Sequence, residues 1–358
     1  MNLDQLNKQI LPPDEHAAAE AQRRWDNVAK PLGSLGLLED TIVKIAALTG
    51  SADVCLSKRA VPVLCADNGV VCEGVTQTGQ EITGLVAASI LRHGSSVCRM
   101  AAVANADVFP VDMGMIAPVE GVGGPRVTAG TQNIARGPAM TRAQAVCALE
   151  AGIDLVREYK EKGYHILLTG EMGIGNTTTS SALCAALLGL PPEEVTGRGA
   201  GLSDAGLSRK LAAINAALSV NASALGDPLD TLAALGGFDI AGMAGIFLGG
   251  ALYRVPVLID GFISAVSALA AVRLCPRSAC AMLASHVSAE PAGHRVLAEL
   301  GLRPLICAEM RLGEGTGAVA ALPLLDMALA VYTSSASFAT IGMDNYTPQE
   351  EGASCGSC

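Results

Sequence analysis

No basic stripe runs through this chain. Its formal net charge is −10, with Lys+Arg 24 against Asp+Glu 34 over 358 residues. Nucleic acid, whose binding depends on clustered Lys and Arg releasing counterions, is excluded as a partner. Aromatic residues are scarce at 3%, while 50% of the residues are hydrophobic and Gly alone numbers 40. That mix argues against disorder and fits a closely packed α/β enzyme core, and the chain is long enough to bury one. No signal sequence is legible, since Met1 to Gln9 is polar and LPP follows directly. Asp239, Arg254 and Asp260 break the apolar runs, and Ile240 to Tyr253 is too short to span a bilayer. It reads instead as a buried helix whose Gly245 and Gly249 allow close packing, and no membrane partner is expected. The histidines, 5 in all, form no ligand cluster, so neither metal nor cofactor is expected. Of the 11 cysteines, Cys65, Cys98, Cys147, Cys184, Cys275, Cys280 and Cys307 stand in apolar company and read as free buried thiols. With no signal, they point to a reducing cytoplasm. Cys355 and Cys358 lack the second ligand pair of a zinc site, and 349–358 reads as a disordered tail.

What the chain does contain is an alternation of short apolar runs and helical stretches. A helical preface, residues 1–55, has helices over Asp14–Val28 and Leu35–Leu48, with Ser34 placed to cap the second. From Arg59 the pattern changes. Strands are expected at Ala60–Asp67, Asp107–Gly114, Tyr164–Gly170, Val255–Gly261, Cys280–His286 and Pro304–Met310. Between them lie helices over Glu81–Ala104, Thr141–Lys162, Phe262–Leu274 and Pro291–Leu300, with a surface loop at Gly121–Gly137. Apolar strands alternating with helices predict an α/β core over 56–319, a mostly parallel sheet covered by helices on both faces. Asp67, Asp112, Glu171, Asp260, His286 and Glu314 all fall at or just past strand ends, which in a parallel sheet share one edge and predict one cleft.

Two stretches carry the chemistry. In LGEGTGA, Leu312–Ala318, the carboxylate Glu314 is flanked by Gly313 and Gly315 between an expected strand and an apolar helical run. Glycines so close let ligand or backbone approach tightly, although a Glu favoured by a helix dipole would read the same way. In TGEMGIGNTT, Thr169–Thr178, Gly173 and Gly175 form a tight loop before a helix starting at Asn176 or Thr177, a ready anion site. Asn176 stands where a nucleotide-triphosphate loop requires lysine, and no G-x-G-x-x-G is present. Lys210, further along a glycine-rich segment, can supply the missing charge.

The sequence resembles the nicotinate-nucleotide:dimethylbenzimidazole phosphoribosyltransferase family. The resemblance rests on KPLGSLG (Lys30–Gly36), CADNGVVCEGV (Cys65–Val75), NIARGPAM (Asn133–Met140), GEMGIGNTT (Gly170–Thr178), GGFDIAGM (Gly236–Met243), PVLIDGFIS (Pro256–Ser264), SHVSAE (Ser285–Glu290) and MRLGEGTGA (Met310–Ala318). It implies a Rossmann-like core, a small helical domain built from both chain ends, 1–55 joined by a C-terminal helix at about 320–348, and a homodimer. It implies transfer of phosphoribose from nicotinate mononucleotide to 5,6-dimethylbenzimidazole or a related lower base. The products would be α-ribazole 5'-phosphate and nicotinate, for cobalamin assembly. Glu314 stands at the family's catalytic carboxylate. Glu171, Gly173, Gly175, Asn176, Thr177, Lys210 and Ser288 fall at nucleotide-binding positions, and Thr78, Val86 and Leu312 line the base pocket. Asn68 replaces a histidine, and Val86 a glutamine, of some members, which leaves the choice of lower base open. The missing dinucleotide fingerprint counts against an oxidoreductase, and intact Glu314 and Lys210 count against a non-catalytic binding module.

Overall fold

The computed structural model describes residues 2–347, so the Cys355/Cys358 pair and the expected tail lie outside the described residues. Two compact units emerge. Among the described residues, one comprises 2–12 with Cys55–Leu322, and the other comprises Pro13–Val54 with 323–347. The first short helix, Leu3–Gln9, thus groups with the core rather than with the helical preface.

The larger unit holds a six-stranded parallel sheet. Its strands are β1 (Arg59–Ala66), β2 (Asp107–Gly114), β3 (Ile166–Leu168), β4 (Gly170–Met172), β5 (Val257–Ile259) and β6 (Met282–Ala284). They lie in the order β2-β1-β3-β5-β6, with β4 also on β1. β3 and β4 are one extended run interrupted at Thr169: Arg59 pairs Ile166 and, further along β1, Val63 pairs Gly170. The chain moves from β1 outward to β2, then returns to the other side of β1 for β3. A crevice opens at that reversal, beyond the carboxyl ends of β1 and β4. Burial explains why these short runs are strands: all eight residues of β1 are buried, and a parallel sheet covered on both faces reads as continuous apolar sequence. The Phe238–Tyr253 helix packs on the Arg142–Glu161 helix, and Gly152 and Gly245 let the two backbones touch. A Cβ on Gly152 would come within 2.0 Å of the Gly242 carbonyl oxygen.

Several expectations are corrected. The helix foreseen over Glu81–Ala104 is two helices, Glu81–Leu91 and Ser96–Val103. His93 turns left-handed (φ 55°) and the Ser95 hydroxyl accepts the N–H of Cys98 to start the second. Pro304–Met310 is not a buried strand. It makes one parallel bridge, Ile306 to His286, and is half-buried to exposed throughout. Gly121–Gly137 has no regular structure but is not merely a surface loop, because Thr131 is buried and its N–H donates to the carbonyl of Asp67. Cys147 and Cys307 are exposed.

The smaller unit contains the helices Glu15–Asn27 and Leu37–Thr49. Buried Trp25 packs on Tyr332 with ring centroids 5.0 Å apart. Ser34 does not cap the second helix, whose N-cap is Gly36 with no side-chain bond. The loop is held instead by Glu39, buried, which accepts from Lys30 Nζ at 2.7 Å and from the N–H of Leu35 at 2.8 Å. The last long helix spans Thr316–Ser334 and ends well short of 348. It is long and apolar enough to cross a membrane, yet half of its most apolar window is buried, the mark of a core helix.

Candidate active site

A cavity of about 370 Å³ opens at the strand ends of the larger unit. Its wall brings together, from distant parts of the sequence, Thr78, Glu171, Gly173, Gly175, Asn176, Thr177, Ser288, Leu312 and Glu314, all singled out above. Val86 is not among the lining residues. It sits half-buried on the Glu81–Leu91 helix, and Thr76, Gln77, Phe262 and Ile263 line the wall instead.

Glu171 leaves β4 pointing into the cavity, yet is almost enclosed. Its Oε2 accepts a hydrogen bond from Asn176 Nδ2. The same amide donates to Asp239 Oδ2 at 2.9 Å. One neutral side chain thus bridges two buried carboxyl groups. Burial pushes the Glu171 carboxyl up to about 8, and the Asp239 charge adds to the shift while Asn176 opposes it. Asp239 is raised as well, chiefly by burial and again against the Asn176 bond. Gly173 is required here because a Cβ would meet Asp239 Oδ2 at 2.7 Å and the Ala66 carbonyl oxygen at 2.6 Å.

Glu314 occupies a different setting on the same wall. It adopts φ 60° between Gly313 (φ 89°) and Gly315 (φ 90°), just ahead of the Thr316–Ser334 helix. The carboxylate is half-buried, and Oε2 is buried with no hydrogen-bond partner. Burial raises its pKa, with the N–H of Val97 acting in the opposite direction. Asp260, at the end of β5, lies beneath this turn and accepts backbone N–H groups from it. Burial lifts Asp260 to about 6 against those N–H groups. His286 also lines the cavity, and burial lowers its pKa.

Lys210 does not reach the wall. It is fully buried behind it, donating to Thr177 Oγ1 at 3.0 Å and to the Gly197 carbonyl at 3.0 Å. Burial pulls its pKa down to about 8, and the Glu290 charge offsets part of that. The exposed cations on the wall are Arg198, paired to Asp204 at 2.5 Å, and Arg311. Neither Asp239, legible only as a break in an apolar run, nor Arg311 was singled out as a site residue by the sequence. For Asp239 the signal was a single carboxylate in the otherwise apolar run GGFDIAGM; Arg311 directly precedes the Leu312–Ala318 stretch.

A cavity of ligand size, walled by carboxyl groups at the reversal point of a doubly wound sheet, defines an α/β enzyme of small-molecule metabolism. The comparisons narrow the class. Residues 10–343 match a family model described as phosphoribosyltransferase. The nicotinate-nucleotide–dimethylbenzimidazole phosphoribosyltransferase of Acetivibrio thermocellus is 46% identical over 330 residues, 92% of this chain and 94% of that protein. The enzyme of the same name from Desulforudis audaxviator is 46% identical over 340 residues, covering 94% and 96%. The crystal structure of the Thermus thermophilus enzyme of that name superposes with a TM-score of 0.86 at 40% identity, covering 92% of this chain and 99% of that one. The chain belongs to the nicotinate-nucleotide–dimethylbenzimidazole phosphoribosyltransferase family.

Proposed function

We propose that this protein transfers phosphoribose from nicotinate mononucleotide to 5,6-dimethylbenzimidazole or a related lower base, giving α-ribazole 5'-phosphate and nicotinate for cobalamin assembly. The names of its relatives support the reaction, and one observation supports the mechanism. Glu314 presents a half-buried carboxylate, one oxygen unpartnered, on the cavity wall.

A neutral benzimidazole has one basic ring nitrogen and one N–H. As the basic nitrogen bonds to the anomeric carbon, Glu314 takes the proton from the other, so no azolium cation accumulates; this is general-base catalysis. The glycosidic bond to the pyridinium breaks with its electron pair going to nitrogen, and nicotinate departs with a neutral ring. Attack opposite the leaving group inverts the anomeric centre from β to α. Glu171, with the turn Gly173–Thr177 and Ser288, holds the nucleotide, the helix start at Asn176 offering N–H groups to the phosphate. Lys210 acts from behind, through Thr177 and the Gly197 carbonyl. Thr78 and Leu312 contact the base. The protein works as a homodimer in the cytoplasm.

The test is to incubate the purified protein with nicotinate mononucleotide and dimethylbenzimidazole and to follow both products by chromatography with mass detection. Stoichiometric nicotinate and α-ribazole phosphate are expected. Absence of both, from folded protein, would sink the reading.

A further inference from the structure

Three successive residues with positive φ, Gly313, Glu314 and Gly315, form the turn that carries the proposed base. Two are glycines, for which this conformation is easy, but Glu314 is not, and a non-glycine residue persists there only where its surroundings hold it. The surroundings are specific. Asp260 Oδ1 accepts the N–H of Gly317 at 2.7 Å and of Ala318 at 3.0 Å, and Oδ2 accepts the N–H of Gly315 at 3.3 Å. These groups belong to the start of the helix that follows Glu314, where backbone N–H groups have no partner within the helix. Asp260 is itself fixed, since its N–H donates to Thr169 Oγ1 at 3.3 Å and Ser264 Oγ at 3.2 Å. The turn is pressed onto the sheet from its other side. A Cβ on Gly170 would approach the Glu314 carbonyl oxygen to 2.8 Å, and one on Gly315 would approach Val61 Cγ1 to 2.8 Å. Thr316 Oγ1 closes the turn by donating to the Gly313 carbonyl at 2.8 Å.

We propose that Asp260 is the positioning residue for Glu314: it gathers the N–H groups that follow the turn and so holds the base in a left-handed conformation aimed into the cavity. The proposal rests on Glu314 being the base. Asp260 then contributes to turnover only through Glu314 and makes no separate contribution to the reaction. Asparagine at this position keeps the size but presents one oxygen and an NH2 group to a set of N–H donors, so at least one donor loses its acceptor and the turn relaxes. A displacement of about an ångström at a reacting group costs up to roughly a hundredfold in rate.

The test is a double-mutant cycle on the full chain, with nicotinate mononucleotide and dimethylbenzimidazole as substrates, using Asp260→Asn, Glu314→Gln and the double variant. Asp260→Asn should lower kcat and leave the KM for nicotinate mononucleotide unchanged. In the Glu314→Gln background the same substitution should cost nothing further, a result that a general structural role would not produce. Equal losses in both backgrounds, or a loss confined to the KM for the nucleotide, would overturn the proposal. Wild-type turnover by Glu314→Gln would instead overturn the base, and the positioning role with it. Should Asp260→Asn fail to fold, Thr316→Val loosens the same turn by one hydrogen bond and runs through the same cycle. A smaller fall in kcat that vanishes beside Glu314→Gln is expected, and a fall that persists there refutes the idea.

Discussion

Glu171 and Glu314 share one cavity wall and one residue type, and their surroundings make them different groups. Glu171 is enclosed, linked through the Asn176 amide to a second buried carboxyl, and holds its proton up to about 8. Glu314 is half-buried, has one unpartnered oxygen, and rides on a strained turn. On the proposed mechanism the first keeps a proton and donates a hydrogen bond, while the second accepts a proton. Pairs of carboxyl groups whose environments separate their protonation are how one site assigns acid and base roles at a single pH. The difference lies in the neighbours, which are distant in sequence: Asp239 and Asn176 for one, Asp260 and the paired glycines for the other.

The largest effect that could break this contrast is on turnover. Glu314→Gln should reduce kcat by about a hundred- to ten-thousand-fold, the usual cost of losing a general base. Glu171→Gln should cost far less, about tenfold, because an amide still donates a hydrogen bond as a protonated carboxyl does. Steady-state kinetics of both variants decide the matter, and a larger loss at Glu171 would reverse the assignment. An acceptor that is already anionic should narrow the Glu314→Gln deficit, since no proton then has to leave.

Much of this site was legible in the sequence, and the failures have physical causes. The strand ends were legible because a buried parallel strand is an uninterrupted apolar run and its first polar residue marks the edge: Asp67, Glu171 and Asp260 were visible on that ground. Glu314 stood out by its glycines. Asp239 did not stand out as a partner of Glu171, because a lone carboxylate inside an apolar helix carries no sign of what lies across the fold. Lys210 was read as reaching the ligand because sequence gives charge without depth, and burial places it one layer back. Pro304–Met310 misled because apolar content alone does not distinguish a central strand from a half-exposed edge segment. The break at His93 was written in the sequence as His-Gly-Ser-Ser, a stop followed by a cap, but the apolar periodicity on either side hid it.

The next effect concerns what keeps Glu171 and Asp239 apart from the behaviour of Glu314. Asn176→Leu removes the shared donor. Its hydrogen bonds lower both pKa values, so removing them raises both further. A carboxyl whose folded pKa is raised contributes stability that is fully present below the ordinary carboxylate range and is lost as the pH rises through the folded value. The variant should therefore be destabilised at every pH, and most above about 8, where wild-type Glu171 ionises. About 2–3 kcal/mol at neutral pH is expected for stranding two buried acceptors. Urea denaturation at pH 5, 7 and 9 measures it, and a loss that shrank with rising pH would contradict the account of the pair.

The smallest effect isolates the strain that sets Glu314 apart. Holding a non-glycine residue in the left-handed region costs roughly 1–2 kcal/mol. Burying a carboxylate oxygen without a partner adds to that cost. Glu314→Gly relieves both, while a glycine loses about 0.5–1 kcal/mol more conformational entropy on folding. The balance favours the variant by about 1 kcal/mol, so it should be slightly more stable than wild type and inactive, the expected trade between stability and function at a strained site. Glu314→Gln serves as the control, because it keeps the left-handed residue and discards only the charge; its gain should be smaller. No such gain is available at Glu171, which lies in a regular strand and is not among the residues with positive φ. Urea midpoints for the two variants and wild type, compared at one pH, decide the question. If Glu314→Gly proved less stable than wild type, the turn would be relaxed as it stands, and Asp260 would be holding a conformation that the chain adopts unaided.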